Sequence, residues 1–510
     1  MPIQHLICNP VQRTFYNGAV ISPSRRSFLK GGAIASVGVS APAMLAQAVP
    51  RLAGNCGKAE LPRIVVHRER HFLSGNDGSP FFWLGDTAWQ LIQQTTRDEC
   101  SYYLHNRARQ GFTVIQTVVL AEFGGVKEPT ATGLLPFADQ DPAHPNEAFF
   151  DRVVEIVDEA GRLGLYVGLL PTWGDKLTAP WGAGPRLFRN DNLDVAQGYA
   201  KYLAKKLRAR TNVLWILGGD RPPRNADNDW TPVWRAIAEG LKEGSDAAPT
   251  IVYHPSGGRE SSSVFLHQEP WLSMNGMQSG HGGGHDVEVW DIIARDYAMN
   301  PAKPTLDLEP NYEDHPYNPW PTWDPSTGYF RDHDVRKQIY RSVFAGGCGV
   351  TYGHHAVWQF AGPGHEVINH ADRDWKDAVW RPAARQVGFL RALMESRPFF
   401  RRIPDQSLIA GDAGEGGLHM QATRDREGSY AFVYFPMSDQ HATIELASLK
   451  AKRLRGWWFD PRTGIGAAID RPIEGSRQEF RSPPYGPDWV LVVENAGAGY
   501  APPGLAAIGS

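Results

Sequence analysis

The chain has 510 residues, more than one ordinary domain needs and enough for a barrel of about 250 to 350 residues followed by a smaller module. Its 52 basic residues nearly balance its 55 acidic ones, so the net charge gives no reason to expect a nucleic acid or an anionic membrane as partner. It is rich in flat aromatic side chains, with 17 Trp, 17 Tyr and 22 Phe, which suit the C–H faces of sugar rings as well as a large core.

The first 48 residues read as an export signal and not as fold. Ser24-Arg25-Arg26-Ser27-Phe28-Leu29-Lys30 has the twin-arginine pattern, an apolar run from Gly31 to Leu45 follows, and Ala46-Gln47-Ala48 has the small residues of a cleavage site. The run is too short and too rich in Gly, Ala and Ser for a membrane span of about 20 residues. The mature chain is therefore expected to start near Val49, in the periplasm or outside the cell, without stable membrane insertion. Cys8 leaves with the signal. Cys56, Cys100 and Cys348 remain, at spacings that match no metal site and force no disulfide framework.

From residue 80 onward, short apolar runs alternate with stretches of helical periodicity, which predicts a (β/α)8 barrel over 62–398. The expected strands are Phe81 to Leu84, Val114 to Val119, Tyr166 to Leu170, Val213 to Leu217, Thr250 to Tyr253, Leu272 to Met274, Thr305 to Leu308 and Val350 to Gly353. Between them lie amphipathic segments such as Phe149 to Leu163, and Lys376 to Arg397 reads as the last barrel helix. Over 405–497 the pattern changes to short alternating strands, for example Tyr430 to Phe435 and Trp489 to Val493, separated by turns at Asp460-Pro461 and Thr463-Gly464. This predicts a small antiparallel β-sandwich.

In such a barrel the reacting groups sit where strands end, at the C-terminal rim. The strand ends here carry carboxylates, imidazoles and indoles: Asp86 and Trp89 after strand one, Trp173 after strand three, Asp220 after strand four, His254 after strand five, Gln278 and His281 after strand six, Glu309 and Tyr312 after strand seven, and His354 and Trp358 after strand eight. Cleaving a glycosidic bond needs one carboxyl to protonate the leaving oxygen and another to attack, or to activate water, from the opposite face. Asp220 and Glu309, three strands apart across the mouth, meet that need. The other residues are candidates for holding the substrate. By strand alternation, Asp307 is expected on the same inward side as Glu309.

Three stretches carry a family resemblance: Phe82-Trp83-Leu84-Gly85-Asp86-Thr87-Ala88-Trp89, Leu214-Trp215-Ile216-Leu217-Gly218-Gly219-Asp220, and Leu306-Asp307-Leu308-Glu309-Pro310-Asn311-Tyr312-Glu313. They resemble the apiosidase-like proteins of glycoside hydrolase family 140 over about residues 62 to 395. Trp458-Phe459-Asp460-Pro461-Arg462-Thr463-Gly464 resembles the collagen-binding type of module that follows the barrel in that family. The resemblance implies a retaining hydrolase with Asp220 as acid/base and Glu309 as nucleophile, acting on apiosides of the pectic polysaccharide rhamnogalacturonan II. Many retaining barrels of the wider clan have Asn-Glu after strand four where this chain has Gly219-Asp220, a departure that fits a smaller or differently branched sugar.

His281 to His285 and the pair His354-His355 lack an acidic partner at helical ligand spacing, so no metal is expected, and no nucleotide-binding signature follows the first strand, so no cofactor is expected either. The competing reading is a non-catalytic carbohydrate- or matrix-binding protein with an inert barrel. A hydrolase using Ser and His is disfavoured, because the barrel segment has no Gly-x-Ser-x-Gly elbow.

Overall fold

A computed structural model describes residues 60–178, 182–282, 284–317 and 321–504. The export segment expected over residues 1–48, and Cys56, lie outside them. Eight parallel strands form the barrel: Trp83–Thr87, Val114–Leu120, Tyr166–Thr172, Val213–Gly218, Ile251–His254, Asn275–Met277, Thr305–Asp307 and Gly349–Tyr352. Each pairs with the next in the chain, the eighth pairs back on the first, and a parallel bridge between Val252 and Met274 closes the ring between strands five and six.

The alternation of side chains decides what faces the axis. Trp83, Val114, Val118, Tyr166, Leu170, Leu214, Ile216, Val252, Met274, Leu306 and Leu308 form one buried cluster inside the barrel. Gln116 lies among them and bridges strands, donating from Nε2 to the Leu308 carbonyl at 3.0 Å and accepting from the Thr351 hydroxyl at 3.0 Å. Residues of the opposite phase, such as Leu84, Ile115, Val167 and Leu217, join the layer under the helices. A typical outer helix is Glu147–Arg162: Asn146 caps it by accepting from the Ala148 N–H at 3.2 Å, and Phe149, Phe150, Val153, Ile156, Val157 and Ala160 form its buried stripe. The N-terminal ends of the barrel strands are covered by a three-stranded antiparallel sheet of Ile64–Val66, Leu73–Gly75 and Pro80–Phe81, whose Ile64, Leu73 and Phe81 belong to the interior cluster.

Two elements differ from the sequence reading. The sixth strand is Asn275–Met277, not Leu272 to Met274. Asn275 is buried, its side-chain oxygen paired to His267, and Gly276 leaves room for Leu308, so a polar residue and a glycine occupy core positions that hydrophobicity alone assigns to their neighbours. The last helix is broken into Trp375–Ala378 and Pro382–Glu395, because Pro382 lacks an amide hydrogen and restricts Arg381 to extended backbone.

The C-terminal module packs a six-stranded antiparallel sheet, in the order Arg402–Pro404, Gln421–Asp425, Tyr430–Phe435, Trp489–Asn495, Leu454–Asp460 and Ile465–Ala468, against a three-stranded one of Ile409–Ala410, His441–Glu445 and Arg477–Arg481. Strand alternation splits its residues between two cores. Ala431, Val433 and Phe435 face the small sheet, while Tyr430, Phe432 and Tyr434 join the barrel helices. The barrel helix Asp332–Phe344 is therefore buried along nearly its whole length, and its Arg336 pairs with Asp488 of the sandwich at 2.8 Å.

Candidate active site

A cavity of about 630 Å3 opens at the C-terminal ends of the barrel strands. Trp89, Trp173, Trp323 and Trp358 wall it, and Glu122, Asp220 and Glu309 bring three carboxyl groups to its lining. Among the described lining residues there is no Lys or Arg.

Glu309 reaches the cavity because the chain leaves the seventh strand after Asp307. Its side chain is 7% exposed and both oxygens are engaged. His254 Nε2 donates to Oε2 at 2.9 Å and His281 Nε2 donates to Oε1 at 3.2 Å. Burial alone would raise the pKa of this carboxyl, but the two imidazole hydrogen bonds outweigh it and hold Glu309 ionised, well below the usual carboxylate range. The Tyr312 hydroxyl accepts from the Trp89 indole N–H at 3.1 Å.

Asp220 comes from an unusual turn. Gly218, Gly219 and Asp220 all have left-handed backbone, with φ of 90°, 101° and 56°. A β-carbon on Gly218 would lie 2.1 Å from the His254 carbonyl oxygen, and one on Gly219 would lie 2.8 Å from the Trp173 ring, so two glycines are needed for the turn to close. Asp is among the few other residues that tolerate this region. The result is a carboxyl turned into the cavity that Glu309 and Gln278 also line. Enclosure at the cavity wall, where its side chain is still 35% exposed, and the negative charge of Glu309 raise the Asp220 pKa, against the opposing pull of Arg221, His254 and Gln278. His254 links the two acids: its Nδ1 accepts the Asp220 backbone N–H at 3.3 Å while its Nε2 serves Glu309.

Of the residues expected to hold substrate, Trp89, Trp173, Gln278, Tyr312 and Trp358 line the cavity, and His254 lies directly behind Glu309. Asp86 and His354 do not join them. The first strand runs three residues further than its apolar run, to Thr87, and its phase turns Asp86 outward, where Arg107 Nε donates to it at 2.7 Å and the Tyr103 hydroxyl bonds the same oxygen. His354 is fully buried, caps the helix His355–Trp358 by accepting from the Ala356 N–H at 3.0 Å, and pairs with Asp314 at 3.2 Å. Asp307 also points away from the axis, its carboxylate accepting from the Ser279 hydroxyl at 2.5 Å, because Leu306 and Leu308 take the inward phase. Glu122, His315 and Trp323 line the cavity but were not singled out from sequence. Glu122 stands two residues past a strand end, so the rim rule that selected the others applied to it as well.

A family model described as "Apiosidase-like, catalytic domain" matches residues 67–401. The chain belongs to the apiosidase-like family. A second model, described as "Putative collagen-binding domain of a collagenase", matches residues 403–494. Among solved structures, a glycoside hydrolase is 30% identical with a TM-score of 0.77, covering 86% of this chain and 98% of its own. A glycoside hydrolase family 5 protein from Bacteroides vulgatus ATCC 8482 is also 30% identical with a TM-score of 0.77, covering 88% and 96%. A further glycoside hydrolase structure from the same organism, 17% identical with a TM-score of 0.61 over 86% of this chain and 83% of its own, shares the fold. The curated proteins give no match.

The barrel of this apiosidase-like chain is thus that of a glycoside hydrolase, with buried acid and base pairs at the face where the cavity opens. Among the described residues no group of three or more His, Cys, Asp or Glu is arranged to hold a metal ion. The two ends of the glycine-rich loop diverge, His281 to Glu309 and His285 to Asp334 at 3.2 Å. No helix among the described residues is long and apolar enough to cross a membrane.

Proposed function

We propose that this apiosidase-like protein is a retaining glycosidase in which Asp220 is the general acid/base and Glu309 the nucleophile. The observation that carries the reading is that one cavity holds two carboxyl groups whose surroundings push their pKa values apart: two imidazoles keep Glu309 ionised, while enclosure at the cavity wall and that ionised neighbour favour the proton on Asp220. An anion ready to attack and an acid ready to protonate are what the first half of the reaction needs. A Glu309 oxygen bonds to the anomeric carbon as the bond from that carbon to the leaving oxygen breaks, and Asp220 transfers its proton to that oxygen. Asp220, now ionised, takes a proton from water as the water oxygen attacks the same carbon, and Glu309 leaves as the carboxylate.

The family, the indole walls and the absence of Lys or Arg from the described lining support a neutral sugar, and we take the substrate to be an apioside of plant pectin such as rhamnogalacturonan II. Tryptophan faces suit the apolar side of a sugar ring, and a pocket whose described lining has three carboxyls and no Lys or Arg, with the nearby Arg221 already paired to Glu122, disfavours an anionic one. The twin-arginine pattern at Arg25-Arg26 supports export to the periplasm or beyond. The test is sugar release from rhamnogalacturonan II and from aryl apiosides by the wild type, Asp220→Ala and Glu309→Ala. Release by the wild type, loss in both variants on the polysaccharide and rescue of Glu309→Ala by azide are expected; release from the polysaccharide persisting in both variants would refute the assignment.

A further inference from the structure

Glu122 is a third carboxyl in the cavity, and the reaction as written does not use it. It stands just past the second barrel strand, its side chain is 14% exposed, and it accepts from Arg221 Nη2 at 2.8 Å. The Arg221 side chain is only 2% exposed. Its Nη1 donates to the Asp220 carbonyl oxygen at 2.9 Å and stands 3.5 Å from the Asp220 carboxyl, the long edge of hydrogen bonding. One buried guanidinium therefore serves both acids: it makes short bonds to Glu122 and to the backbone of the left-handed Asp220, and its contact with the Asp220 carboxyl is the longer one.

From this geometry we infer that Glu122 is a positioning residue for the general acid, holding the Arg221 charge away from the Asp220 carboxyl. The inference rests on the reading of Asp220 as acid/base. A guanidinium this buried is poorly screened by water, so losing the Glu122 charge removes the carboxylate that offsets it and its pull on the Asp220 carboxyl, 3.5 Å away, strengthens. The other titratable groups around Asp220 are themselves engaged. From strand seven comes Glu309, held by His254 and His281. From strand five comes His254 and from strand six the uncharged Gln278. From strand three comes Asp175, already bound by Lys176 at 2.7 Å. Burial raises the Glu122 pKa to about 7, so it gains charge, and tightens on Arg221, over the pH range in which the acid must keep its proton.

The test is the pH dependence of kcat/KM for wild type, Glu122→Gln and Glu122→Asp. Two aryl apiosides are compared, one with a poor leaving group that needs the acid and one with a good leaving group that does not. In Glu122→Gln the guanidinium draws the proton off Asp220, so the basic limb moves down by about one pH unit on the poor leaving group, a loss of about tenfold above the limb, while the acidic limb stays in place. Glu122→Asp keeps the charge one methylene further from Arg221 and gives an intermediate limb; it decides the question alone should the Gln variant not fold. A basic limb at the wild-type position in folded variants, or equal losses on both leaving groups, overturns the inference. Asp220→Ala separates this from a failure of the underlying reading: as the acid it keeps the first chemical step on the good leaving group and loses the poor one, and equal effects on both would remove Asp220 from its role whatever Glu122 does.

Discussion

Replacing His254 by Phe isolates one of the two bonds that ionise Glu309. The Phe ring keeps the packing, since His254 lies edge-on to Trp89 at 5.4 Å between centroids and tilted on Trp173 at 5.8 Å, but it donates nothing to Glu309 Oε2. A hydrogen bond to a charged group contributes about 1.5 to 3 kcal/mol, and 1.36 kcal/mol corresponds to one pKa unit, so the Glu309 pKa rises by roughly one to two units. The reactive form has Glu309 ionised. Activity therefore rises with pH through the Glu309 pKa, and the acidic limb of kcat/KM on an aryl apioside moves up by the same one to two units. Stability follows the same linkage. Because the folded pKa of Glu309 is depressed, its contribution is complete above the unfolded value of about 4.3 and is lost as pH falls through the folded value. The urea-measured gap between wild type and His254→Phe is thus about 1.5 to 3 kcal/mol at pH 7 and closes only as pH falls through the folded Glu309 values of the variant and then of the wild type, both below the usual carboxylate range. A folded variant whose acidic limb stays at the wild-type position would refute the reasoning, because Glu309 would then owe its ionisation to something else.

Gly219→Ala places a β-carbon against the Trp173 ring in a backbone with φ of 101°, so the turn that aims Asp220 has to open; kcat/KM falls about 10- to 100-fold while circular dichroism shows the fold retained. Asp86→Ala leaves Arg107 buried without its carboxylate partner and costs about 3 to 5 kcal/mol in urea denaturation, yet activity per folded molecule stays within about twofold of wild type because the pair lies outside the cavity.

The barrel and the sandwich were legible because their cores follow the periods of their elements. Leu214 and Ile216 alternate inward on the fourth strand, and Tyr430 to Phe435 sends alternate residues to two different cores. The rule that chemistry gathers at strand ends also brought Asp220, Glu309 and five of the expected substrate contacts to one cavity. It failed where a strand end is set by partners remote in the chain. Asp86 after a glycine reads as a loop residue, but Arg107 and Tyr103, on a helix beginning eleven residues later, draw it out of the barrel. His354 reads as a rim imidazole until its capping bond and Asp314 use both ring nitrogens. The link through His254, which joins the nucleophile's oxygen to the acid's backbone, depends on a side-chain orientation that no spacing encodes.

The most direct test of the central claim is to trap the reaction half-way. An activated fluorinated apioside is incubated with the enzyme and the protein is digested and read by mass spectrometry. The account predicts one sugar covalently attached to the peptide carrying Glu309, and its accumulation lost in Glu309→Ala. Turnover with no covalent adduct and an inverted product, or a sugar attached to a different residue, would contradict it.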